Sequence, residues 1–364
     1  MIEKELAQRV LIIGPDYRRP GGIATLLTHY KTMLVPFNFI ATSQQVSKVR
    51  KLVVLFSALM KFLWIMCRKE ITLIHIHTAS NNDFRRHALF VYIGKLLGKR
   101  VILHIHSGDF EEFYHAHQRF ADAVCHKADA IIAVSSYFAD FFRNVRLSAH
   151  VYLLHNCIPA PTDCEILSNP KKQDATLVLC YAGTINHDKG CFDVVDSIAA
   201  HKMELRGKLI YHLAGRGEKD DVDELNTLIL KRGIVDIVKY HGFLNSPQRN
   251  ELFAQSDCYI QPSRFESFGL AILEAMSFGL PIITSKTGGI PDLVDNDVNG
   301  LFVTPGNKEE IYDAICYMME NPDRRLEMGC KSASKAEKFY LEAVEKALRD
   351  IYISVMSQSN LSTI

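Results

Sequence analysis

Short apolar runs rich in β-branched residues recur along the chain at 10–14, 73–77, 101–106, 130–135 and 151–154. After a break they return at 177–182, 209–214, 238–240, 258–261, 282–284 and 301–303. Stretches with helical spacing lie between most of them, at 23–34, 84–97, 110–127, 218–231, 269–278 and 308–320. Strands alternating with helices predict an α/β chain with parallel sheets covered on both faces. The alternation breaks at 157–174, a polar stretch with three prolines and no clear period. Each half opens with a strand running into a glycine turn, VLIIG before the break and LVLCYAG after it. Two doubly wound domains are therefore expected, 1–165 and 166–340. A last helix over about 341–364, with Val344, Leu348, Ile351 and Val355 on one face, is expected to pack back on the first. Ligands of such sheets bind outside the carboxyl ends of the strands, which predicts a site in a cleft between the domains.

Length and composition suit this picture. A chain of 364 residues, 48% hydrophobic and 23% charged, is globular and long enough for two cores. Nine cysteines, an odd number with no C-x-x-C pair, read as reduced thiols of a cytoplasmic protein. Residues 1–8 are polar and lack the apolar segment of a secretory leader. The net charge of +1 gives no reason to expect nucleic acid as a partner, but it is an average. Residues 1–165 carry 20 Lys and Arg against 13 Asp and Glu, a net +7, and the remainder carries 22 against 28, a net −6.

One apolar stretch, 52–67, is flanked by Lys48, Arg50 and Lys51 before it and Arg68 and Lys69 after it, with Lys61 inside. Its 16 residues reach about 24 Å as a helix, short of the roughly 30 Å hydrocarbon core of a bilayer. It reads either as a helix buried against a sheet or as one lying in a membrane surface.

The candidate chemistry clusters where strands run into helices. Gly21-Gly22 opens the first helix and lets backbone approach a ligand. His104 and His106 lie on one face of a strand, with His106 at its carboxyl end, and His75 and His77 repeat the spacing. No carboxylate or cysteine stands at a metal-ligand spacing from them, so no metal is expected. Lys189-Gly190 sits in a strand-to-helix loop from which a lysine can reach a phosphate. The strongest signal is RFESFGLAILE at 264–274, where Ser267 reads as a helix cap. The amides of Phe268, Gly269 and Leu270 then face outward at a positive helix end, suited to a diphosphate. Glu266 and Glu274 bracket that end, where carboxylates suit sugar and ribose hydroxyls. Thr287-Gly288-Gly289 makes another glycine turn one strand later. Asp221-Val222-Asp223 and Asp295-Asn296-Asp297 follow no strand directly and read as solvated. Gly215-Arg216-Gly217 lacks the third glycine of a dinucleotide fingerprint.

Taken in order, GPDYRRPGGI, LHIHSGD, LHNCIP, YAGTINHDKG, PSRFESFGLAILEAM, TGGIPDLV and NGLFVTPGN resemble the motifs of glycosyltransferase family 4, retaining enzymes of the GT-B fold. The resemblance spans the chain and is more specific in the second half. It implies two Rossmann-like domains facing across a cleft, with the first on the acceptor side and the second binding a nucleotide sugar. Gly21 and Gly22 would approach the donor. His106 would contact the donor sugar, Lys189 the leaving diphosphate and Glu266 the transferred sugar. Phe268, Gly269 and Leu270 would supply amides, Glu274 would bind ribose, and Phe243 and Leu244 would lie near the base. Thr184 stands where the family usually has an arginine, leaving Lys189 alone unless Arg264 or Arg216 leans in. The resemblance implies no metal or other cofactor and an acceptor that is a glycan. The basic first half and the 52–67 stretch suit a lipid-linked acceptor at the inner face of an anionic membrane. The alternatives are a GT-B nucleotide-sugar epimerase and a non-catalytic nucleotide-sugar binder.

Overall fold

The computed structural model describes residues 1–18, 21–43, 48–67, 70–145, 147–162 and 176–358, without the side chains of 48–52. It divides into two compact units, Met1–Pro159 with Phe339–Ile364, and Ala160–Lys338. The boundary expected at 165 lies outside the described residues, as does most of the proline-bearing break.

The first unit holds a six-stranded parallel sheet in the order β2-β1-β3-β4-β5-β6. Its strands are β1 Val10–Pro15, β2 Phe39–Ser43, β3 Leu73–Thr78, β4 Arg100–Ile105, β5 Ala130–Ala133 and β6 His150–Leu153. The inner strands are buried at nearly every position because helices cover both faces. One helix on this sheet is Leu341–Ser357, which buries Val344, Leu348, Ile351 and Val355 against Leu26, Leu27 and Tyr30. The helical stretch expected at 110–127 is two helices, Phe110–Ala116 and Gln118–Cys125, hinged at His117.

The second unit repeats the plan in the order β12-β11-β10-β7-β8-β9. Its strands are β7 Leu177–Ala182, β8 Leu209–Ala214, β9 Val238–Tyr240, β10 Cys258–Gln261, β11 Ile282–Thr284 and β12 Gly300–Phe302. From β7 the chain runs outward through β8 and β9, then returns to lay β10 on the other side of β7. Strand order reverses between β7 and β10, so the loops leaving these two strands diverge and open a crevice at their carboxyl ends.

Candidate functional site

Lys189 comes from the loop after β7 and Glu266 from the loop after β10, so the reversal of strand order brings the two to one crevice. Lys189 Nζ lies 2.7 Å from Glu266 Oε1, with the lysine side chain 27% exposed and the glutamate 13%. The same carboxylate oxygen accepts from Gln261 Nε2 at 2.6 Å, and Gln261, buried at the end of β10, is itself held by the Tyr259 hydroxyl at 2.5 Å. Asn186 caps the short turn His187–Lys189 by accepting from the Lys189 amide. Gly190 follows at φ +76°, where a Cβ would meet the Pro262 carbonyl at 2.3 Å. The backbone of Glu266 is gripped from the next strand. Gly289 N–H donates to its carbonyl at 2.9 Å, and Gly288 (φ +52°) passes so close that a Cβ would sit 1.9 Å from that oxygen. The glycines of the Thr287–Gly289 turn thus fix the glutamate.

The helix that follows is Leu270–Ser277, and its cap is Gly269 at φ +98°, not Ser267. The expected cap is displaced because only glycine takes this left-handed turn without strain. The free amides of the first turn are therefore those of Leu270, Ala271 and Ile272, while Phe268 is buried. Gly269 turns the chain, and Leu270 is the one member of the expected amide trio inside the first turn.

Glu274 is largely buried and pairs with Arg249 Nη2 at 3.1 Å, from the helix Ser246–Gln255. Burial raises its carboxyl from the ordinary range and Arg249 pulls the other way. Arg249 escaped sequence reasoning because no motif surrounds it; its distance to Glu274 exists only in the fold. Of the two arginines weighed against Thr184, Arg264 is committed elsewhere. Its guanidinium donates to Asp193 at 3.0 Å and to the His187 carbonyl, clamping the loop rather than facing the crevice. Arg216 is placed differently. Gly215 and Gly217 let its strand end run against the 183–185 backbone, and Arg216 O accepts from Ile185 N–H at 2.8 Å. Its guanidinium stacks 3.8 Å over the half-exposed ring of Phe243, with Leu244 half-buried beside it.

In the first unit, Gly21 caps the helix Gly22–Met33, and a Cβ at either glycine would meet open space. His106 follows β4 and belongs to an array of four imidazoles. His75 Nε2 and His104 Nδ1 lie 3.2 Å apart, and His77 Nδ1 and His106 Nε2 lie 3.0 Å apart. Rings within each pair are within 11° of parallel, and the pairs stack on one another at 4.3 and 4.1 Å. Nitrogens of His75, His77 and His104 come within 4.8 Å of each other.

The chain was compared with known proteins. Residues 165–335 match the family model described as Glycosyl transferases group 1, and residues 4–160 match Glycosyltransferase Family 4. The two leave only the linker and the ends unmatched. The chain belongs to glycosyltransferase family 4. Over 139 residues this family 4 chain is 30% identical to an uncharacterized glycosyltransferase of Methanocaldococcus jannaschii, covering 38% of the chain and 35% of the relative. Over 177 residues it is 28% identical to the alpha-D-kanosaminyltransferase of Streptomyces kanamyceticus, covering 48% and 45%. The matches span less than half the length of these curated relatives. Among solved structures, Anabaena HepE in complex with UDP-glucose superposes with a TM-score of 0.75 at 20% identity, covering 95% of this chain and 99% of that one. Sucrose-phosphate synthase of Thermosynechococcus elongatus gives 0.77 at 17%, covering 96% and 100%. The fold of the family 4 chain is GT-B.

Proposed function

We propose that the chain transfers a sugar, with retention of configuration and without a metal, from a uridine-diphosphate sugar to a lipid-linked or polysaccharide-precursor glycan. The observation that carries this is the Lys189–Glu266 pair in the β7/β10 crevice beside the amides that open the Leu270–Ser277 helix. Cleaving the donor leaves charge on the diphosphate, which an ammonium and oriented amides stabilise. Arg216, beside Thr184, supplies the second positive charge. Glu266 accepts from sugar hydroxyls, Glu274 from ribose, and Phe243 stacks on the base. Gly21, Gly22 and His106 serve the donor sugar. The UDP-glucose bound by HepE supports the choice of donor class. UDP-glucose at a hundred times its dissociation constant is expected to stabilise the protein by about 2.7 kcal/mol, several degrees in melting temperature. A panel of nucleotide sugars that leaves the melting temperature unmoved sinks the proposal. A donor converted to an epimer or free sugar with no glycan acceptor present favours the epimerase.

An acceptor at the cytoplasmic face of a membrane is the reading that the helix Lys48–Met66 supports. That helix buries Ala58, Phe62, Ile65 and Met66 on one side. On the other side it exposes Val53, Phe56, Met60, Leu63 and Trp64, with the basic residues of its ends following in sequence. Lys61 does not break this stripe, because it turns aside to donate to the Phe39 carbonyl at 3.0 Å. A helix apolar all round with one side exposed needs a second apolar partner, and flanking cations select an anionic lipid surface. No described helix is long and apolar enough to cross a membrane. Phe56→Asp with Met60→Asp is expected to lower partitioning onto phosphatidylglycerol vesicles at least tenfold. Trp64, the only tryptophan, is expected to shift its emission to the blue on the wild-type protein. Equal partitioning of both proteins refutes the docking.

A further inference from the structure

A pocket of about 710 Å³ in the first unit has no part in the donor chemistry. It is lined by Arg85, Ala116, His117, Gln118, Arg119 and Phe120. It exists because the helical stretch breaks at His117, so that Gln118–Cys125 starts in a new direction and leaves a recess beside the helix Asn81–Leu96. Phe120 closes one side and leans edge-on against buried Phe84.

Among the described residues, the recess carries positive charge with no paired carboxylate. Arg85 Nη2 donates to His117 Nε2 at 2.9 Å. The imidazole is braced edge-on by Phe113 at 5.2 Å. Arg119 makes no hydrogen bond among the described residues, and neither arginine has a carboxylate within 4.0 Å of it there. The carboxylates of the surrounding elements are engaged elsewhere. Asp83 pairs with Arg86, Asp109 accepts from Ser80 and Asn81, and Glu111 and Asp122 accept from Tyr137 and Tyr114. Glu112, exposed on the Phe110–Ala116 helix, pairs with neither arginine. Two permanently charged forks at an aromatic-walled recess match a phosphate group, which guanidinium groups bind bidentately.

A second observation gives the rest of the ligand. Leu89, Tyr92 and Leu96 stand four, seven and eleven residues after Arg85, on the same side of their helix, and are 44%, 38% and 88% exposed. At 1.5 Å per residue this apolar row runs about 16 Å away from the recess. The helix also touches the membrane-facing one, through the Phe62–Phe90 ring contact at 5.2 Å.

We infer that this pocket holds the phosphate of a lipid, with the hydrocarbon chain laid along Leu89, Tyr92 and Leu96, and that it anchors the acceptor. Only the last clause rests on the transferase reading. The test is calorimetric titration of the full chain with decyl phosphate below its micelle threshold, with inorganic phosphate and with decyl glucoside. Decyl phosphate is expected to bind at least tenfold tighter than either of the others. Arg85→Gln with Arg119→Gln is expected to remove that tenfold. Leu96→Ser is expected to weaken decyl phosphate and leave inorganic phosphate unchanged. All three side chains are exposed, so the melting temperature is expected to hold. Decyl glucoside binding as well as decyl phosphate, or an arginine variant that binds like wild type, overturns the inference. The UDP-glucose melting shift is read on the same samples. Its loss with decyl phosphate binding intact sinks the transferase reading alone, and the reverse outcome sinks the pocket alone.

Discussion

Acidifying the protein from pH 7 to pH 5 is expected to destabilise its first unit by several kcal/mol, because the four-histidine array must stay neutral. His75, His77 and His104 are fully buried and His106 nearly so. Burial lowers all four below the ordinary imidazole value, His75 and His106 to about 3, with only Asp83 pulling His106 the other way. The facing groups, Tyr30 and Tyr352, are hydroxyls that burial keeps protonated, so they offer an imidazolium no counter-charge. Above pH 6.5 the folded and unfolded chains bind the same protons at these sites, and the array leaves stability independent of pH. Below 6.5 the unfolded chain takes up protons that the folded chain refuses, so stability falls as pH drops from 6.5 toward 3.

Each histidine contributes about 1.4 kcal/mol per pH unit, and four together about 5, against a total stability of about 5–15 kcal/mol. A fall of about one to three pH units below 6.5 therefore spans the whole of that range. Trp64 lies in this unit and is the only tryptophan, so its fluorescence in urea reports the unit directly. A midpoint that does not move between pH 7 and pH 5 refutes the account. His75→Phe with His104→Leu is expected to lower the midpoint at pH 7, since it leaves the Tyr352 hydroxyl unpaired, yet to halve the pH slope.

That array shows which part of the structure the sequence could carry. The i, i+2 spacing of His75 with His77 and of His104 with His106 placed each pair on one face of a strand. The pairing of His77 opposite His104 is a matter of register between strands and has no local signal. Five strands of the second unit stand where the apolar runs predicted them, because a buried parallel strand is a bounded apolar run. The edge strand β2 was missed. Its residues FIATS alternate between buried and half-buried and follow a proline, so they carry no continuous apolar run.

At the site, residue identities were legible and their partners were not. Lys189 and Glu266 are 77 residues apart and meet only because strand order reverses between β7 and β10. The same holds for Arg249 with Glu274. Arg264 drew attention as a neighbour in sequence of Glu266, yet the backbone turns it toward Asp193. The one-residue break at His117, which makes the phosphate pocket, lies inside a stretch that reads as one continuous helix.

Replacing Lys189 and Glu266 is expected to give opposite effects on UDP binding and the same effect on transfer. In the free protein the ammonium is already neutralised by Glu266 at 2.7 Å, so an arriving diphosphate competes with the carboxylate for it. Glu266→Gln removes the competitor and keeps the shape, so UDP is expected to bind several-fold tighter. Transfer from UDP-glucose is expected to fall by 10²–10³, about 3–4 kcal/mol of transition-state stabilisation, because the sugar loses its anionic acceptor. Lys189→Ala removes the cation itself, so UDP is expected to bind at least tenfold more weakly and transfer to fall by a similar 10²–10³. It also leaves the half-buried carboxylate with Gln261 as its only side-chain donor among the described residues, at a cost of about 1–3 kcal/mol to folding that Glu266→Gln avoids. Because the two side chains act as one unit, the double variant is expected to lose far less than the product of the single losses. Titrations with UDP decide the matter without an acceptor. If both single variants weaken UDP equally, the pair is a structural ion bridge and the diphosphate lies elsewhere. If Glu266→Gln tightens UDP while Lys189→Ala loosens it, the crevice between β7 and β10 is where the leaving group is held.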